Sequence, residues 1–94
     1  EDKRAEAEQR NRRYRETKDL RRHLERVEAE LVTAEARVAD LTRTLADPAV
    51  YDDAEQVKQV VATHNVAKDR AAELFAEWER LSTRLEAAEA RAGV

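Results

Sequence analysis

Leu20-Arg21-Arg22-His23-Leu24-Glu25-Arg26-Val27-Glu28-Ala29-Glu30-Leu31 places an apolar residue at its first, fifth, eighth and twelfth positions. The pattern continues through Ala34, Val38, Leu41 and Leu45, so the spacing alternates four, three, four, three without a break. That is a heptad repeat with Leu20 at d and Leu24 at a. A straight helix drifts off such a repeat, so a helix that keeps it must supercoil around a partner.

The stripe stops at Leu45-Ala46-Asp47-Pro48. Pro48 lacks an amide donor and disfavours helix at Asp47. Asp47 is positioned to cap a short turn with Pro48 at its first position. Asp52-Asp53-Ala54-Glu55 then reads as a helix start, with Asp52 as the expected cap and Glu55 reaching back in an acidic form of the capping box. A second stripe follows at Val57, Val60, His64, Ala67, Ala71, Leu74, Trp78, Leu81, Leu85, Ala88 and Ala92, with His64 its one polar member.

Two long helices joined by a short loop fold back on each other. The expected architecture is all-α, a two-helix antiparallel coiled-coil hairpin. It forms a single domain over 1–94, with helix one about 3–46, a turn about 47–52 and helix two about 53–92. The competing arrangement is a rod kinked at Pro48 and paired with a second chain. Charge selects a register with Leu41 level with Val57. Glu30 then meets Arg70 and Glu35 meets Lys68, while Leu20 is layered with Trp78, Leu24 with Leu74 and Ala34 with His64. Upstream of Thr17 the seam positions hold Arg13 and Arg10, so roughly the first 15 residues are expected to fray or to need a partner.

Composition agrees with long helices. Charged residues are 41% of the 94, aromatics 4%, and there is one Gly (Gly93) and one Pro, too few turn formers for a many-turned globule. No Cys is present, which excludes disulfides and thiolate metal sites and fits a reducing compartment, so a cytoplasmic location is expected. No apolar run nears the roughly 20 residues of a membrane span. The sequence opens at Glu1 without Met, mid-helix by its pattern, and reads as an excised piece of a longer protein.

No catalytic constellation, Gly-rich phosphate loop or metal set stands out. His23 and His64 lie far apart along the rod, and Trp78 is read as core filling beside Leu20 and Leu81. The expected fragment is therefore not an enzyme and holds no cofactor of its own. Charge distribution is more informative. Residues 10–26 carry eight basic side chains (Arg10, Arg12, Arg13, Arg15, Lys18, Arg21, Arg22, Arg26) against three acidic ones, a net of +5. Residues 27–57 carry two basic against eight acidic, a net of −6. A cationic helix can follow a phosphate backbone without reading bases. Arginine outnumbers lysine seven to one in the basic run, which suits bidentate phosphate contacts. Those eight residues are the candidate nucleic-acid-binding set. The other reading is an arm that docks a protein through an apolar tip at Val50 and Tyr51.

Several stretches resemble the C-terminal coiled-coil domain of ABC-F ATPases of the Uup-like kind. They are Arg12-Arg13-Tyr14-Arg15 through Leu20-Arg21-Arg22, the heptads Leu24 to Leu31, the turn Leu45-Ala46-Asp47-Pro48-Ala49-Val50-Tyr51, and Glu77-Trp78-Glu79-Arg80-Leu81. The resemblance implies a parent with two ATP-binding cassettes using ATP and magnesium, and a hairpin that binds DNA or RNA. It also implies the ribosome and translation as the setting. The turn, followed by Asp52, also resembles the N-terminal helical region of bacterial class I peptide-release factors, over a shorter stretch. As an isolated domain the hairpin is expected to be a monomer, with no membrane contact.

Overall fold

The computed structural model describes residues 1–91 of the chain. Helix α1 runs Asp2–Ala46 and helix α2 runs Ala54–Arg91, with a 3₁₀ turn at Pro48–Asp52 between them. The helices lie antiparallel in a rod of 76 × 18 × 14 Å. This is the expected hairpin, and the kinked two-chain rod is not what forms.

The heptad stripes make the interface. Leu20, Val27, Leu74, Leu81 and Ala88 form the buried cluster, and Leu24, Leu31, Ala34, Trp78 and Leu85 pack against it half-buried. Leu74 is the most enclosed, 2% exposed. Trp78 sits in this seam as expected and stacks on Phe75, with ring centroids 6.0 Å apart. Ala92 lies outside the described residues.

The tip is closed by local chemistry. The Asp47 carboxylate accepts from the Ala49 amide at 3.0 Å with Pro48 next to the cap, as anticipated. Val50 turns inward, 6% exposed, and seals the end of the core. The Tyr51 hydroxyl donates to the Leu45 carbonyl at 2.6 Å, tying the turn to the last turn of α1. The cap of α2 corrects the expectation. Asp53, not Asp52, accepts from the amides of Glu55 and Gln56 at 3.0 and 3.2 Å. Asp52 belongs to the preceding 3₁₀ turn. One extra residue of turn shifts the helix start by one.

The register is a second correction. The Glu30–Arg70 pair forms at 3.4 Å, but no Glu35–Lys68 pair does among the described residues. His64 Nε2 lies 3.0 Å from Thr42 Oγ1 rather than opposite Ala34, which is eight residues and so about 12 Å away along the helix. Near the open end, Arg91 reaches Glu16 at 3.3 Å and Arg21 reaches Glu89 at 3.1 Å. Taken together these contacts slide α2 along α1 by about seven residues, one heptad or roughly 10 Å, from the charge-derived register. The reason is reach. Long Arg and Glu side chains bridge either alignment, so Glu30–Arg70 discriminates weakly. The slide forms two further ion pairs and lets Thr17 and Ala88 be buried together at that end.

The start of α1 lies close to the expected one at about residue 3. Regular helix begins at Asp2, although α1 projects about ten residues beyond the level of Arg91. Arg, Glu, Ala and Gln are strong helix formers, and Glu6 and Glu8 stand four residues before Arg10 and Arg12, the favourable order for charge pairs.

Candidate nucleic-acid interface

The basic run does not act as one patch. Seating the a and d positions of α1 against α2 fixes what every other position faces. Positions b, c and f point away from the partner helix. In α1 these include Arg12, Arg15, Lys18, Arg22 and Arg26, and all five are exposed. None of them makes an ion pair among the described residues. Arg12 to Arg26 spans fourteen residues, about 21 Å of helix. The outward face therefore offers a positive charge about every 5 Å on average, with Asp19 and Glu25 interspersed.

The remaining three candidates are placed elsewhere. Arg21 is on the flank and pairs with Glu89 at 3.1 Å. Arg13 is half-buried on the seam and donates to the Arg91 carbonyl at 3.2 Å, a cation set at the negative end of the α2 dipole. Arg10 follows one turn earlier on the same seam side and is exposed. Helical spacing in the sequence already sets Arg10, Arg13 and Arg21 on one face and Arg12, Arg15, Arg22 and Arg26 on another, although all eight stood as candidates. Sequence reasoning passed over Arg4, exposed and eleven residues, or three turns, before Arg15. That spacing was the available signal that Arg4 shares the outward face.

Thr17 explains how the seam crosses from apolar to charged. It is 7% exposed, and its hydroxyl donates to the Arg13 carbonyl at 2.8 Å, so its polar atom is satisfied within the helix. Beyond it the contacts between the helices are electrostatic.

Other candidate features have structural uses. His23 pairs with Glu77 at 3.3 Å and His64 with Thr42. Val50 is buried, so it offers no apolar side chain at the tip, and the Tyr51 hydroxyl is already engaged. The Tyr51 ring itself stays 57% exposed at the tip. Among the described residues no helix is long and apolar enough to cross a membrane.

Fold and surface together define an antiparallel coiled-coil hairpin that carries a one-sided basic face near its open end. Residues 15–83 match the family model of the ABC transporter C-terminal domain, and the chain belongs to that family. The match includes Arg15, Lys18, Arg21, Arg22 and Arg26, the Pro48 turn and Trp78, and it favours the ABC resemblance over the release-factor one. No curated protein and no solved structure matches the chain.

Proposed function

We propose that the hairpin is a non-catalytic accessory domain of an ABC-F, Uup-like ATPase, and that it binds DNA or RNA through the outward face of α1. The observation that carries this reading is the division of labour among the arginines. Arg12, Arg15, Lys18, Arg22 and Arg26 share one exposed face and have no ion-pair partner among the described residues, whereas Arg13 and Arg21 are committed to α2. Charges held outward on a preformed rod meet phosphates with little ordering of the backbone still to be done. Tyr14, 65% exposed, is the single aromatic side chain within this span, too few rings for a stacking platform. Binding is then sequence-tolerant and dominated by counterion release.

In this reading ATP and magnesium belong to the parent's cassettes, and the ribosome is a target through its RNA. The place of action is the cytoplasm. The test is anisotropy titration of labelled duplexes of unrelated sequence at about 50 and about 200 mM salt. Five phosphate contacts predict a log–log slope of about −4.5, so affinity falls several hundredfold over that range. A Kd that is insensitive to salt, or that differs more than tenfold between sequences, overturns the reading.

A further inference from the structure

The two flanks of the seam differ. On one side the g positions of both helices meet and are joined by charge. Glu30 reaches Arg70, which also holds Glu73, and His23 reaches Glu77. On the other side the e positions meet. Near the open end they are joined by Arg21 and Glu89, but over the middle of the rod they are not. Glu28 and Glu35 of α1 stand there with Lys68 of α2, and Glu25 and Glu79 occupy the adjoining b positions. All five are exposed, and none forms an ion pair among the described residues.

The same flank carries apolar surface. A two-helix seam uses a and d positions, and an added apolar e position widens the stripe to that of a helix in a larger bundle. In α2 this third position is filled by Val61 and by Phe75, two heptads apart. Phe75 stacks on Trp78 of the seam, with ring centroids 6.0 Å apart, and is still 48% exposed. Ala72 and, on α1, Val32 occupy exposed b positions on this side. The contacts of Glu30 with Arg70, Thr42 with His64 and Arg21 with Glu89 set Phe75 between Glu28 and Glu35 along α1, near the level of Val32. An aromatic anchor held by a neighbour and rimmed by polar groups is how binding energy is concentrated at an interface. The rim has four carboxylates against the one ammonium of Lys68. That sign repels nucleic acid and anionic lipid and selects lysine or arginine on a partner.

We infer that the e-side groove docks a basic amphipathic helix of another protein. It lies as a third helix whose apolar stripe covers Phe75 and Val61 and whose flanking Lys or Arg side chains meet Glu25, Glu28, Glu35 and Glu79. Val61 to Glu79 spans eighteen residues, about 27 Å, so the docked helix has about five turns. Lys68, midway, faces an uncharged or acidic position of the partner. The inference does not rest on nucleic-acid binding, because Arg12, Arg15, Arg22 and Arg26 occupy c and f positions, outside this groove.

Trp78 is the one tryptophan of the chain and stacks on Phe75, so its fluorescence reads the groove directly. The full chain is titrated with two model peptide helices of about five turns that lack tryptophan. Both carry a leucine stripe, flanked by lysine in one and by glutamate in the other. The lysine helix shifts Trp78 emission to the blue as it covers the groove, and the glutamate helix does not. Phe75→Asp and the milder Phe75→Ser each weaken the lysine helix by about tenfold or more. Glu28→Lys with Glu35→Lys abolishes the preference for lysine. Asp52→Lys with Glu55→Lys makes the same charge change at the tip and leaves the preference intact. Circular dichroism checks that every variant stays helical. No binding of the lysine helix, or binding without a Trp78 shift, overturns the inference. So does an equal loss in the tip variant, or Phe75 variants that bind as the unaltered chain does. A dimer of the chain alone in sedimentation, dissolved by Phe75→Asp, also overturns it and gives the groove to a second copy.

Discussion

Arg21 and Arg22 are neighbours in the chain and do different work. Arg21 is on the flank of the seam, 3.1 Å from Glu89, and its charge is part of how the two helices hold each other. Arg22 is one residue on, about 100° around the helix, and has no ion-pair partner among the described residues. The same contrast separates Arg13, bound to the Arg91 carbonyl, from Arg12 and Arg15. A run of like charge is therefore two populations. One is internal to the hairpin and the other is offered outward. Net charge cannot distinguish them, but the heptad phase can.

The contrast can be broken at its foundation by removing the seam that orients both sets. Leu74→Ala empties the most enclosed position and is expected to cost about 2–5 kcal/mol, read as a lower midpoint in urea unfolding followed by circular dichroism. With the pairing weakened, the distinction between outer and inner arginines fades. Val50→Asp acts similarly from the tip. It places a charge in the buried end of the core and is expected to lower stability by more than 1 kcal/mol. A surface docking residue at that position would tolerate the same change.

Smaller substitutions sharpen the comparison. Asp53→Ala removes the cap of α2 and should cost about 1 kcal/mol, whereas Asp52→Ala should be near neutral. Equal effects at the two positions would contradict the cap assignment. Arg21→Ala should cost only ~0.2–1 kcal/mol, because its pair with Glu89 is exposed, and the loss should vanish at high salt.

Much of this architecture was legible in the chain. Eight apolar positions in α1 and ten described positions in α2 keep one phase, and no competing pattern explains them. The Asp47-Pro48 turn follows from backbone chemistry at two residues. The register was not legible because the sign of exposed pairs discriminates poorly. Glu30–Arg70 survives a slide of about a heptad, while the Thr42–His64 contact depends on two side chains that no charge rule ranks. The Asp53 cap was missed because Asp52 and Asp53 are equally good caps in isolation, and the length of the 3₁₀ turn decides between them. Thr17 was read as the edge of a failing seam. Its burial requires the hydroxyl to be satisfied by the Arg13 carbonyl, a contact that is not visible as a pattern. In the candidate site, the residues and their division between two helix faces were legible, but the contacts of Arg13 and Arg21 with α2 were not, since these depend on where α2 ends along α1.

The salt dependence of duplex binding, compared across three proteins, tests the division of the basic run most directly. The proteins are the unaltered chain, the outer variant Arg12→Glu/Arg15→Glu/Arg22→Glu, and the inner variant Arg13→Gln/Arg21→Gln, each checked for helix content. The account predicts that the outer variant flattens the log–log slope by about 2.7, the share of three phosphate contacts. The inner variant should keep the slope of the unaltered chain while losing a little stability. Equal flattening in both variants, or flattening in the inner one alone, would contradict it.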